Sequence, residues 1–180
     1  LELAWVTRSG WISTTSRSRA TVLARVVNSP GKPHVIVKCY SAARPRDAEV
    51  RCYKALETMQ GIDIPVLIEE EYDMPEWFSK MIGKSFKFAM VVSYVSYAYR
   101  THFNMPPEKM AVCREVVRRM HDLGVCHSKP IDENFLFNQD LNKAVVIDFS
   151  KGHTLTKVGE KRFIEARSKD IAIIDNEIEL

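Results

Sequence analysis

Apolar, β-branched residues are concentrated in two short segments near the start of the chain. The first reads ATVLARVV over residues 20–27, and the second reads HVIVKCY over residues 34–40. Between them, residues 29–33 read SPGKP and are rich in the amino acids that form turns. This pattern predicts two antiparallel strands joined as a hairpin.

Helical spacing of apolar residues predicts two longer elements. Residues 47–59 carry apolar side chains at this spacing and are followed by Gly61. Residues 107–123 begin with proline and are followed by Gly124, which are usual signals of a helix start and a helix end. We therefore expect one helix after the hairpin and a second helix in the other half of the chain.

The remaining apolar segments predict strands and a last helix. IPVLIEEEYD and KFAMVVSYVS are strand candidates between the two helices, and NFLF and AVVIDF flank a turn at residues 138–140. The final segment, EARSKDIAIIDNEIEL, has the character of one long helix. Strands and helices in this order indicate the α+β class.

The composition is that of an ordinary globular domain. The chain has 180 residues, 46% hydrophobic and 27% charged, and its formal charge is +3 with a pI near 8.7. This mild excess of positive charge does not by itself indicate a nucleic-acid surface. No secretory leader or membrane-spanning apolar run is found, so we expect a cytoplasmic protein without a membrane partner. The four cysteines form no close pair, which disfavours a CxxC metal site and a disulfide framework: Cys39, Cys52, Cys113 and Cys126.

Five polar residues follow or lie within these elements in a characteristic order. Lys38 follows VIV, Glu49 lies in the next helix, and Asp148 follows AVVI. His127 and Asn134 lie in HSKPIDEN, seven positions apart, as in the pattern H-R-D-L-x-x-x-N. The order and spacing resemble the protein-kinase superfamily, and in particular its compact atypical members, among them small fungal kinase-like proteins.

The resemblance implies a fold and a domain organisation. It covers nearly the whole chain and implies one kinase-like domain over residues 1–180. A small antiparallel-sheet lobe with one helix would occupy about residues 1–96, and a minimal, mainly helical lobe about residues 97–180. We do not expect a lobe for peptide substrates.

The resemblance also implies a nucleotide site. Lys38 would hold the phosphates of the nucleotide and form an ion pair with Glu49. Asn134 and Asp148 would hold Mg²⁺. The implied cofactors are ATP and Mg²⁺.

Three departures from the family pattern make ordinary phosphotransfer doubtful. Lys129 stands two positions after His127, where the family has the aspartate that accepts the proton of the attacking hydroxyl. The loop above the phosphates has other residues where glycines belong, and DFG reads DFS. The residues concerned are Thr15, Arg17, Ala20 and Ser150.

Three functions follow from these residues. The first is a pseudokinase-like regulatory module that binds a nucleotide or another ligand. The second is an enzyme of the same fold that transfers a nucleotidyl or aminoacyl group, the latter dependent on tRNA, in specialised metabolism. Its candidate catalytic residues are Lys129, His127 and Asp132. The third is an atypical small-molecule kinase in which Asp132 replaces the missing base.

The partner is left open by the sequence. A protein partner and an anionic small molecule or nucleotide donor are both compatible with it, and RNA has weak support. The simplest interpretation of the arginines on the second helix is a solvent-exposed face. The alternative is an anion-binding surface made of Arg17, Arg19, Arg44, Arg46, Arg114, Arg118 and Arg119.

Overall fold

The computed structural model describes residues 1–5, 12–16, 18–76, 78, 85–95, 99–100, 107–138 and 143–176. The chain divides into two compact units. The first unit comprises Leu1–Asp47 and Val66–Tyr94, and the second comprises Ala48–Pro65 and Val95–Leu180. The secondary structure is α+β, which confirms the predicted class.

The first unit contains an antiparallel sheet of six described strands. Its order is β1-β3-β4-β6-β5, and β2 also pairs with β3. The strands are β1 (Leu3–Trp5), β2 (Ile12–Ser16), β3 (Arg19–Val26), β4 (His34–Tyr40), β5 (Leu67–Glu69) and β6 (Phe88–Ser93).

The predicted hairpin is confirmed by the pairing of β3 with β4. Thr21 lies opposite Lys38 in this register. The turn uses left-handed backbone at Gly31, with φ 73°, and at Lys32, with φ 44°. Glycine adopts this conformation at no steric cost, which explains why the turn forms here.

Alternation of side chains along β3 and β4 builds the core of the first unit. Val35, Val37 and Cys39 are buried, whereas Ile36 and Lys38 on the opposite face are half-buried. The buried face packs with apolar residues of β3, β6 and the segments before β6. These are Ala20, Val22, Ala24, Phe78, Phe86, Ala89 and Val91.

The first helix, α1, covers Ala43–Ala55 and is followed by a short 3-10 helix at Glu57–Met59. The predicted bounds of 47–59 were therefore wrong at both ends. The helix starts earlier because Pro45 lies in its first turn, where a missing N–H leaves no hydrogen bond unmade. Of the two later strand candidates, KFAMVVSYVS contains β6, whereas only three residues of IPVLIEEEYD form β5.

The second unit is mainly helical, with short strands. Helix α2 (Pro107–Asp122) confirms the second predicted helix, and Gly124 after it has φ 74°. The predicted hairpin is also confirmed: β9 (Phe135–Asn138) pairs with β10 (Lys143–Val146). β7 (Tyr99–Arg100) extends this sheet, and β8 (Val125–Cys126) pairs with β11 (His153–Thr154).

Two helices end the described chain: α3 (Leu155–Val158) and α4 (Glu160–Asn176). The core of the second unit is built of large apolar side chains, among them Met110, Met120, Phe135, Phe137, Phe149 and Ile174. Among the described residues no helix is both long and apolar enough to cross a membrane.

Candidate functional site

The segment between β8 and β9, residues 127–134, is held by a carboxylate from another part of the second unit. Asp170 of α4 accepts hydrogen bonds from the backbone N–H groups of His127 and Ser128, both at 2.8 Å. It also lies 3.1 Å from Nε2 of His121 on α2. Asp170 is fully buried, and a buried carboxylate is tolerated only when several donors satisfy it. These contacts fix where the 127–134 loop begins.

The sequence interpretation missed Asp170, although the sequence contains a signal for it. Among the described side chains of α4, those of Phe163, Asp170 and Ile174 are buried. Their spacing of seven and four positions puts them on one face of a helix. A carboxylate on an otherwise apolar helical face needs buried donors, which is how Asp170 could have been found.

His127 is fully buried, and both nitrogens of its ring contact the backbone. Nε2 lies 2.8 Å from the carbonyl oxygen of Ile147, and Nδ1 lies 3.3 Å from the backbone N–H of Lys129. Burial lowers the pKa of His127, against the opposing effects of the Ile147 carbonyl and nearby carboxylates. The neutral ring therefore donates from Nε2 and accepts at Nδ1, and it serves to position the loop.

Asn134 is the last residue of the loop, and a hydrogen bond from its side-chain amide fixes its orientation. Nδ2 donates to the carbonyl oxygen of Lys129 at 2.9 Å. The backbone carbonyl of Asn134 accepts from the N–H of Ile147, also at 2.9 Å. Because the amide nitrogen is used inside the loop, Oδ1 is the atom with which Asn134 can serve a ligand.

Asp148 has an unusual backbone conformation. Its φ is 65°, in the left-handed region, and Ser128 in the 127–134 loop has φ 66°. Neither residue is a glycine, and such conformations cost about 1–3 kcal/mol each. Strained residues of this kind concentrate at functional sites. Asp148 is half-buried, and its carboxylate lies 3.4 Å from the backbone N–H of Ser150.

Phe149 packs beside the loop and brings α1 into the same region. Its ring centroid lies 5.1 Å from that of His127 and 5.4 Å from that of Tyr53. Burial raises the pKa of Tyr53 well above its usual value, and the carboxylates of Glu49 and Asp148 raise it further. Glu49 is fully buried. The second unit thus brings together four of the predicted site residues: Glu49, His127, Asn134 and Asp148.

Lys38 belongs to the first unit, and its ion pair with Glu49 stays a prediction. The predicted glycine-poor loop covers the turn between β2 and β3, where Ser16 lies opposite Arg19. Its residues Thr15 and Ala20 lie in β2 and β3 themselves. Of the three residues in glycine positions, Ala20 is buried on β3. Arg17 and the side chain of Thr15 lie outside the described residues.

The position at which the resemblance would place a base carries an exposed ammonium group. Lys129 is exposed, and within the described parts of the chain no ion pair involving it is found. The side chain of Asp132, the candidate substitute base, lies outside the described residues. Glu133 is exposed on the same short 3-10 helix, Asp132–Asn134.

Four of the seven arginines that were candidates for an anion-binding surface have acidic partners. Each of the three on α2 forms an ion pair, as does Arg46 of α1. The pairs are Arg114–Asp175 at 2.6 Å, Arg118–Glu115 at 2.8 Å, Arg119–Asp63 at 2.8 Å and Arg46–Glu71 at 2.8 Å. These contacts neutralise the guanidinium groups and favour the simpler interpretation of α2 as a solvent-exposed face.

The sequence matches no protein-family model and no curated protein sequence. The candidate site is therefore defined by its own geometry. It consists of a loop held by Asp170, the oriented side-chain amide of Asn134, and the carboxylate of Asp148, whose backbone is in the left-handed region.

Proposed function

We propose that the chain is a kinase-fold module that binds a nucleoside triphosphate and has lost ordinary phosphotransfer. The observation that carries the proposal is the position of Lys129. It lies between His127 and Asn134, whose side chains both contact its backbone, at 3.3 Å and 2.9 Å. These contacts support the proposal of a kinase-like loop whose central residue, a lysine, cannot accept a proton from a hydroxyl group.

Asn134 and Asp148 are suitable residues for Mg²⁺. Magnesium prefers hard oxygen ligands, and the two side chains offer an amide oxygen and a carboxylate. The amide nitrogen of Asn134 is already used, which leaves its oxygen as the donor atom. When bound, Mg²⁺ would neutralise charge on the phosphates of the nucleotide.

The other residues have roles that follow from their contacts. Asp170 and His127 hold the loop, and Phe149 packs against His127. Lys129 would attract the negative charge of phosphate groups, because its ammonium group is exposed. Lys38 and Glu49 keep the phosphate-binding role that the resemblance implies.

The proposal predicts that ATP with Mg²⁺ stabilises the protein against thermal unfolding, since a ligand that binds only the folded state raises its stability. Asp148→Asn should abolish the shift. Asparagine tolerates left-handed backbone, so this variant should fold normally. Asp122→Asn, at an exposed carboxylate of α2, is the matched control and should keep the shift.

Two results would contradict the proposal. One is an unfolding temperature that ATP and Mg²⁺ leave unchanged in the unmodified protein. The other is an equal shift in the unmodified protein and in Asp148→Asn, which would place nucleotide binding elsewhere.

A further inference from the structure

Three potential metal ligands converge in the interior of the second unit. They are His121 at the end of α2, Cys126 on β8 and Asp170 on α4. One ligand atom from each lies within 4.8 Å of the other two, and all three residues are buried. This cluster could not be found from the sequence, because the cysteines form no close pair and the three residues come from separate elements.

His121 and Asp170 are placed so that both can contact one ion. Nε2 of His121 lies 3.1 Å from a carboxylate oxygen of Asp170. Two ligand atoms on one tetrahedral zinc ion, each at about 2.0–2.2 Å from the metal, are separated by about 3.3–3.5 Å. A zinc ion between Nε2 and this oxygen would take the place of the hydrogen bond between them.

We propose that His121, Cys126 and Asp170 form a binding site for a single zinc ion. Imidazole nitrogen, thiolate sulfur and carboxylate oxygen are the three donor types that zinc accepts, whereas magnesium and calcium avoid sulfur. Binding would release the thiol proton of Cys126 to solvent, because the thiolate is the ligand.

A cavity borders one of the three proposed ligands. It has a volume of about 320 Å³ and is lined by His121 together with Gly124, Thr154 and Phe163. The three side chains leave one position of a tetrahedral zinc site for a water molecule. The three protein ligands come from α2, β8 and α4, so the ion would join these elements next to the 127–134 loop.

The site is tested by the metal content and the spectrum of the purified chain. After exposure to Zn²⁺ and gel filtration, the unmodified protein should retain about one zinc per chain. Co²⁺ in its place should give thiolate-to-cobalt charge-transfer absorption in the near ultraviolet. Removal of zinc by a chelator should lower the unfolding temperature.

Two variants separate a zinc site from a purely hydrogen-bonded cluster. His121→Gln keeps an N–H donor for Asp170 but removes the imidazole, and should weaken zinc binding more than about tenfold. Cys126→Ala should abolish the cobalt charge-transfer band, while Cys113→Ala, at a buried cysteine outside the cluster, should keep it. If Cys126→Ala does not fold, the cobalt spectrum of Cys126→Ser and the zinc content of the unmodified protein still test the proposal.

The proposal is overturned if the unmodified protein retains no zinc after gel filtration. It is also overturned if His121→Gln and Cys126→Ala bind zinc as tightly as the unmodified chain does.

Discussion

The carboxylate of Asp170 accepts a hydrogen bond of 2.8 Å from the backbone N–H of His127, 43 positions earlier in the sequence. This contact ties the start of the 127–134 loop to a residue on the buried face of α4. The loop is therefore positioned by tertiary structure and not only by its own turn sequence. Asn134 and Asp148, the proposed ligands of Mg²⁺, depend on a loop held in this way.

Asp170→Asn should destabilise the protein strongly. Asparagine keeps one acceptor but turns an N–H₂ group toward backbone donors, so at least one buried group loses its partner. We expect a loss of about 3 kcal/mol or more in the free energy of unfolding, measured in urea with a chelator present so that bound metal does not contribute.

The matched control for that experiment is Asp175→Asn on the same helix. Asp175 is about half exposed and pairs with the similarly exposed Arg114. Its loss should cost about 0–1 kcal/mol. Equal effects of the two substitutions would show that Asp170 does not anchor the loop.

Gly152→Ala should destabilise the segment after Asp148 by steric conflict. A Cβ atom at this position would lie 2.6 Å from Sγ of Cys52 and 3.0 Å from the carbonyl oxygen of Phe149. Overpacking of this kind costs about 1–3 kcal/mol, which thermal or urea unfolding would measure.

The contact with Cys52 can be isolated by a double-mutant cycle. In the Cys52→Ala background, Gly152→Ala should be less harmful, because the sulfur atom is gone. An unchanged cost in that background would assign the conflict to the backbone carbonyls of Phe149 and Cys126.

Two neighbouring arginines on α2 should differ in their effect on stability. Arg119 pairs at 2.8 Å with Asp63, whose side chain is only 6% exposed. The two partners of Arg118, Glu115 and Asp122, are 51% and 52% exposed. Arg119→Met leaves a buried carboxylate without its cation and should cost about 1–3 kcal/mol. Arg118→Met should cost about 0–1 kcal/mol. Denaturant unfolding of both variants provides the comparison, and the reverse order would refute it.

Lys129→Asp should not produce an active kinase. The substitution places a carboxylate where the kinase resemblance predicts the base, but the loop between β2 and β3 still lacks the glycines that let backbone approach phosphates closely. We expect ADP formation to stay far below about 1–100 per second, the range of kinases. Turnover in that range would show that Lys129 alone accounts for the loss.

The sequence predicted the elements with strong local signals and missed what depends on tertiary contacts. The β3–β4 hairpin and α2 were predicted because glycine and proline mark their ends. The start of α1 was misplaced because Pro45 was not recognised as a first-turn proline. The spacing of His127 and Asn134 identified the loop, but not Asp170, since nothing in the loop sequence points to its anchor on α4.

The central claim is that the site binds a nucleotide without transferring its phosphate. Calorimetric titration with ATP and Mg²⁺, followed by measurement of ADP in the same sample, tests both halves. We predict saturable heat from the unmodified protein, loss of that heat in Asp148→Asn, and no ADP above a protein-free control. Phosphate transfer at about 1–100 per second, or equal heats from the unmodified protein and Asp148→Asn, would contradict the claim.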